Sequence, residues 1–492
     1  MRPITRREAI GFGMLGGAGV LVGGLGLSRT GLPWIASPAP ATEDVGGSAG
    51  GESLVEPEVL RSQDGVLRVE LVAAQTVTSI AGRQARVLTY NGTVPGPSWW
   101  VRPGDSIEVR LRNELGTPTN LHTHGLAVSP QGNGDNPFVS IEPGQDFDYR
   151  FELPADHPPG VFWYHPHRHG TVADQLFGGL YGALIVDGDQ VPVSRDRVLV
   201  ISDISLTDDS QIAPVSDQEV MLGREGELVL VNGQHQPQLT ARPGQRERWR
   251  VINACTSRYL RLALGGQRLE LLGIDGGRET AHREVQEVLL APGNRADLLV
   301  TMRGGISELR TLGHDRGGMG MMGGAELSGP GTLATLAVTG DEAAAPGVAP
   351  DLPAVPDLRD RPIAGQREIT FTMTMGTMMG AGRNMMEFGF DGRVFDATRT
   401  DQQVSVGTVE EWLISNPTPM DHPFHLHVWP MQLIEAAGQE IGEPTRRDVV
   451  NVPARSRVRV LVDFTSHPGR SVYHCHILDH EDAGMMASIE VV

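Results

Sequence analysis

The chain has 492 residues, too many for one hydrophobic core, so two to four domains are expected. Glycine (62) and proline (34) make it turn-rich, and 39% hydrophobic content suits a soluble protein of many short strands rather than long helices. The formal net charge is −19 and arginine supplies all 41 basic positions, with no lysine, a balance that argues against nucleic-acid binding.

At the start, Thr5-Arg6-Arg7-Glu8-Ala9-Ile10 precedes a Gly/Leu-rich run from Gly11 to Leu27. Two adjacent arginines before a mildly apolar stretch match a twin-arginine export signal. The run is short and glycine-rich for a membrane span. Ala39-Pro40-Ala41 offers a small-residue cleavage site, so residues 1–41 are expected to be a leader. No cysteine follows the run, which argues against a lipid anchor. That route carries folded proteins, which suits loading of a cofactor before export. The expected location is periplasmic, extracellular or at the cell envelope, with the twin-arginine machinery as a partner.

Three later segments align. Gly104-Asp-Ser-Ile-Glu-Val-Arg-Leu-Arg-Asn113, Gly244-Gln-Arg-Glu-Arg-Trp-Arg-Val-Ile-Asn253 and Gly407-Thr-Val-Glu-Glu-Trp-Leu-Ile-Ser-Asn416 each run from Gly to Asn in nine steps. Alternating polar and apolar residues mark a half-buried strand, and its threefold repetition marks three related β domains. Nine residues after each Asn the repeats diverge, to His122-Thr-His124, Leu262-Ala-Leu264 and His425-Leu-His427. The outer two also match at their ends: Gly160 lies five residues before His165-Pro-His167, and Gly469 five before His474-Cys-His476. The expected fold class is all-β, with antiparallel Greek-key β-sandwiches at 54–188, 190–342 and 358–492. The Pro/Ala-rich residues 343–357 are the expected linker.

Eight of the 16 histidines fall in four His-x-His pairs. On a strand, residues i and i+2 project the same way, roughly 7 Å apart, so four pairs can close around a small metal cluster. Imidazole alone suits copper, zinc, iron or nickel. Cys475 narrows the choice. It lies between His474 and His476 and points to the opposite face, with His480 and Met485 downstream and His422 ahead of the third pair. Two His, one Cys and a distant Met are the ligand set of a blue-copper electron-transfer site. The other cysteine, Cys255, follows an apolar run and is expected to be a buried structural thiol, so no disulfide framework is expected.

His122-Thr-His124-Gly125, Trp163-Tyr-His-Pro-His167, His422-Pro-Phe-His-Leu-His427 and His474-Cys-His-Ile-Leu-Asp-His480 through Met485 resemble the four copper motifs of multicopper oxidases. The resemblance covers roughly residues 55–492 and is nearest to bacterial three-domain laccases and cuprous oxidases. It implies three cupredoxin-like domains and four coppers. By motif position, the type-1 copper falls to His422, Cys475, His480 and Met485, and the type-2 copper to His122 and His425. The type-3 pair falls to His124, His165 and His476 on one ion and His167, His427 and His474 on the other. Electrons taken singly from a reductant near His422 would pass through Cys475 to a cluster between the outer domains, where O2 is reduced to water. Glu481 matches the acidic residue of the closing motif, and Asp135 roughly matches the one after the first His-x-His-Gly; both are candidate proton donors. His157 and His169 match no ligand position.

The reductant, phenolic or Cu(I), is not fixed by these motifs, nor is the expected monomeric state. Met319, Met321 and Met322 lie in a glycine-rich loop, and Met378, Met379, Met385 and Met386 lie where no core face is expected. Soft sulfur in such places favours Cu(I) as substrate. Met373 and Met375 alternate with polar residues and are expected in the core. Met420 lies two residues before His422, as in cuprous oxidases. Thr418, however, stands where those enzymes carry a substrate-binding Asp, and Asp421 is the nearest substitute. A non-catalytic envelope scaffold of the same fold would have lost ligands, whereas all twelve candidates are present. A copper store would not need Cys475 between two cluster histidines, and a copper nitrite reductase would not need four His-x-His pairs.

Overall fold

The computed structural model describes residues 51–279, 281–318, 328–344, 346–347, 355–377 and 384–492. The expected leader and Met319, Met321, Met322, Met378 and Met379 lie outside the described residues, as do the side chains of Met375 and Met385.

Strands dominate, and among the described residues they form six sheets, two from each of three consecutive stretches: 59–186, 195–338 and 363–491. Each pair of sheets encloses an apolar core, built around Trp99 and Tyr164 in the first, Trp249 in the second, and Trp412 and Phe424 in the third. These are three cupredoxin-like Greek-key sandwiches.

The sequence repeat is also a repeat of position. Ser106–Glu114 lies between a parallel neighbour, Val66–Ile80, and an antiparallel one, Asp146–Glu152. Arg246–Asn253 lies likewise between Arg195–Ile204 and Arg295–Thr301. Val409–Asn416 lies between Ile363–Thr377 and Ser456–Asp463. Each repeat strand is therefore flanked in its sheet by strands that are not its neighbours in sequence, as Greek-key connections require. The sandwiches are mixed rather than purely antiparallel, because alternation fixes which face is buried and not which way the next strand runs.

The punctuating residues have a shared task. Gly104, Gly244 and Gly407 turn into their strands at φ +85°, +81° and +87°, the left-handed region that favours glycine. Asn113, Asn253 and Asn416 are buried at the strand ends. Each side-chain amide donates to carbonyls of two separate segments: Thr117 and Ile141, Arg258 and Leu290, Met420 and Val452. Each Oδ1 accepts from the backbone N–H two residues on. The loop that follows is thereby pinned in all three sandwiches, and that loop leads to the His-x-His strand in the outer two. In the middle sandwich the equivalent strand, Leu260–Leu264, buries Leu262 and Leu264 in the core instead.

The three sandwiches meet at one short helix, Leu478–Asp482. Leu478 packs with Trp100, Val161, Val200 and Ile252, residues of the other two stretches. Asp482 accepts from the N–H groups of Gly170 (2.6 Å) and Ala173 (2.8 Å), and so caps the helix Val172–Phe177, whose own cap residue Thr171 supplies no side-chain bond. Arg224, from the middle sandwich, donates to Asp174 of the first (2.6 Å) and Asp479 of the third (2.6 Å). The helix that carries His480 and Glu481 is thus fixed from both sides.

Candidate metal centres

The two outer sandwiches present their histidine pairs to each other. His122–His124 pairs with Gly160–His165 in the register His122↔His165 and His124↔Trp163. His422–Leu426 pairs with Gly469–Cys475 in the register His425↔His474 and Phe424↔Cys475. Seven of the eight paired histidines join groups whose ligand atoms lie within 4.8 Å of one another: His122, His124 and His165; His122, His425 and His427; His167, His427 and His474. His476 stands beside these groups, its ring centroid 5.0 Å from that of His124 and 5.8 Å from that of His165.

Five of the eight rings are held so that one nitrogen is spoken for and the other points inward. His122 Nδ1 faces Asp135 (2.9 Å), His425 Nδ1 donates to the Asp448 carbonyl (2.8 Å), His165 Nδ1 to the Pro166 carbonyl (2.8 Å) and His474 Nδ1 to the Cys475 carbonyl (2.9 Å). His124 is turned the other way, with Nε2 on the Asp448 carboxylate (2.9 Å) and Nδ1 inward. The free nitrogens then meet: His122 Nε2 and His425 Nε2 at 3.4 Å, His165 Nε2 and His124 Nδ1 at 3.4 Å, and His474 Nε2 at 3.1 Å from both His167 Nε2 and His427 Nε2. Burial first, then neighbouring imidazoles, push these histidines below their ordinary proton affinity. Across the His122–His425 and His165–His124 gaps both N–H groups are already committed, so the neutral rings cannot bond to one another there. Lone pairs converging in a buried space are an arrangement for cations. Both ring nitrogens of His476, and Nδ1 of His167 and His427, make no hydrogen bond to protein. The donor set fits copper.

A second group lies on the other face of the same strand. Cys475 Sγ is 3.4 Å from His422 Nδ1 and 4.0 Å from His480 Nδ1, all three fully buried. The outward nitrogens are again fixed. His422 Nε2 donates to Thr418 Oγ1 (2.9 Å), which in turn donates to Asn416 Oδ1 (2.7 Å), and His480 Nε2 donates to the carbonyl of Met221 (3.1 Å) in the middle sandwich. Burial pushes the Cys475 thiol up, and the N–H of Ile477, pointing at Sγ (3.4 Å), offsets part of that. Met485 is buried in the same core, its backbone bonded to both Cys475 and His480. Cys255 is a buried free thiol far from this set in the chain, as expected.

The two expected acids are both buried against the cluster. Asp135 touches His122 and accepts from Thr123 N–H (2.8 Å), and burial raises its carboxyl to about 7 despite those bonds. Glu481 Oε2 is 3.0 Å from His474 Nδ1, and Oε1 is 3.6 Å from His167 Nε2. Neither oxygen has the alignment of a hydrogen bond, and burial raises this carboxyl also to about 7. His157 bonds backbone groups of Pro158 and Ala127, and His169 packs on Phe395; neither joins the metal groups.

Two expectations are corrected. Asp421 is not a free substitute for the substrate-binding acid: its carboxylate is occupied by His314 (3.2 Å), Asn451 (3.0 Å) and Ala454 N–H (2.9 Å). Met386 lies on a strand, Asn384–Phe390, and packs against the third core, because pairing with Ile363–Thr377 gives that glycine-rich stretch a face it lacks in isolation. Residues without a local sequence signal also belong to the site. Asp448 holds His124, and Arg295 of the middle sandwich holds Asp448.

Profiles of the multicopper oxidase family match residues 72–191, 195–307 and 363–492. A solved multicopper oxidase from Campylobacter jejuni, described as a metallo-oxidase, is 31% identical, with a TM-score of 0.79 over 90% of this chain and 95% of that one. The chain belongs to the multicopper oxidases. Among curated relatives, a multicopper oxidase of Staphylococcus aureus is 26% identical over 91% of this chain and 94% of its own. A laccase of Bacillus subtilis is 26% identical over 82% of this chain and 90% of its own. The protein is accordingly a copper-binding oxidoreductase that couples one-electron oxidation of a reductant to four-electron reduction of O2 to water.

Proposed function

We propose that this oxidase carries four coppers and works on Cu(I) and other small reduced metal ions in preference to bulky phenols. When bound, the coppers supply one-electron acceptance at Cys475 and delivery of four electrons to O2 at the histidine cluster. His422, Cys475, His480 and Met485 are assigned to the type-1 ion and His122 and His425 to the type-2 ion. His124, His165 and His476 take one type-3 ion, and His167, His427 and His474 the other. Glu481 and Asp135 hold protons beside these ligands, Glu481 at His474 Nδ1 and Asp135 at His122 Nδ1.

The observation that carries the substrate preference is the burial of His422. Its ring edge is covered by Thr418, and the segment Arg316–Gly318 lies over the preceding turn, with Asp421 N–H donating to the Arg316 carbonyl (2.7 Å) and Gly318 N–H to the Pro419 carbonyl (3.1 Å). Among the described residues no flat organic ring can stack on that edge. In sequence, Met319, Met321 and Met322 follow this segment directly, where thioethers would suit a soft ion. Steady-state rates with Cu(I) and with simple phenols test this; faster turnover of phenols would make laccase the better description.

Export through the twin-arginine route to the cell envelope or beyond, as a monomer, completes the proposal and rests on Arg6-Arg7 and the run after them. Replacing both arginines with lysine and following enzyme in cell fractions tests the route; undiminished export would remove it.

A further inference from the structure

Arg316 is a buried charge with an incomplete set of partners. Its side chain has no exposed surface; Nη2 donates to the Gly223 carbonyl (3.1 Å) and lies 3.4 Å from Glu225 Oε1, while Nε and Nη1 have no partner. Glu225 is shared: it also accepts from Ser328 N–H (2.7 Å) and Oγ (2.8 Å) and pairs with Arg258 (3.1 Å). An under-paired guanidinium in the interior is costly, so its position is informative.

That position is across the Cys475 site. The Arg316 carbonyl accepts from Asp421, the residue before His422, and Gly317 bridges to Met420. The guanidinium ends at Gly223, two residues beyond Met221, whose carbonyl holds His480 Nε2. The side chain therefore runs from the loop of one histidine to the support of the other.

We propose that Arg316 raises the reduction potential of the Cys475 centre and so widens the range of reductants this oxidase can use. The inference rests on that centre being the copper site proposed above. Taking one electron from the reductant lowers the centre's charge by one. A fixed cation in a low-dielectric interior favours the less positive, reduced state. The residue comes from the sandwich that supplies no copper ligand, so the middle domain would tune a centre it does not build.

The test is a redox titration of the holoenzyme against ferricyanide and ferrocyanide, followed by the blue absorption band. At a fixed mediator ratio, Arg316→Met should raise the ratio of oxidised to reduced centre about tenfold or more, equivalent to about 59 mV for one electron. Arg316→Lys, which keeps the charge, should stay within about threefold of wild type by the same relation. Glu225→Gln should move the ratio the opposite way from Arg316→Met. An Arg316→Met enzyme with an intact blue band and the wild-type ratio overturns the inference, as do equal shifts in the Met and Lys variants. If Arg316→Met does not fold, Glu225→Gln decides: an unmoved ratio, or one shifted toward oxidised, overturns it. A wild type without a blue band would instead overturn the copper assignment itself.

Discussion

Arg295, from the middle sandwich, grips both carboxylate oxygens of Asp448, Nη1 on Oδ1 at 2.6 Å and Nη2 on Oδ2 at 2.7 Å. Asp448 in turn faces His124 Nε2 through its side chain and His425 Nδ1 through its backbone carbonyl, so one buried ion pair orients histidines of both outer sandwiches. Arg295→Leu strands the Asp448 charge in the interior, and the metal-free protein should lose about 3–5 kcal/mol in chemical denaturation. Copper affinity at the cluster should fall about ten- to a hundred-fold, as it does when a group that orients a ligand is removed. Equal stability and copper content in the variant would show that the pair has no such role.

The three pinning asparagines separate fold from site. Asn253→Ala and Asn416→Ala each leave buried carbonyls without donors, and each should cost about 2–4 kcal/mol. Asn416 also accepts from Thr418 Oγ1, which accepts from His422 Nε2, so this variant should alter the blue absorption as well. Asn253→Ala should leave the spectrum of the folded protein unchanged. Matching spectra in the two variants would mean that the Thr418 relay does not orient His422.

Cys475→Ser should fold normally and lose both the blue band and oxidase activity, because the colour depends on the copper–thiolate bond. Copper analysis of the wild type should give about four ions per chain on the ligand counts used for such centres. A colourless wild type with full copper would remove Cys475 from the electron path.

Glu481→Gln keeps the shape of a buried side chain that touches His474 and His167 but cannot release a proton. Single-turnover reoxidation by O2 should slow by about a hundred-fold, with the reduction rate of the Cys475 centre unchanged. Asp135→Asn should show the same division and also loosen His122, which the carboxylate faces at 2.9 Å. A wild-type reoxidation rate in Glu481→Gln would leave that residue as a structural acid.

The parts of the site written in local spacing were legible. His-x-His places two rings on one strand face wherever the strand sits, and Cys475 between His474 and His476 must face the opposite way. The repeat from Gly to Asn likewise announced three related sandwiches, since a turn and a pinned loop are local needs. What escaped was pairing at a distance. Arg295 and Asp448 are 153 residues apart and meet only when the middle and last sandwiches dock. Arg316 reads as one charge in a glycine-rich loop, and its burial follows from the bridge to Met420. Asp421 beside His422 looked like a substrate group because adjacency in sequence does not tell which way an acid points. Met386 looked loose because the strand that pairs with it was not visible in its own composition.

The histidine cluster draws half its rings from residues 122–167 and half from residues 425–476, on opposite sides of the middle sandwich in the chain. On the ribosome, a nascent chain therefore displays four clustered imidazoles long before their counterparts are made. The Cys475 centre is also completed near the end of synthesis, since it waits for His480 and Met485. The two full copper pockets thus become available almost together, after docking of the outer sandwiches rather than as each one emerges. Metal insertion is in consequence a step for the finished polypeptide, and copper uptake during refolding should track domain docking rather than the appearance of β structure.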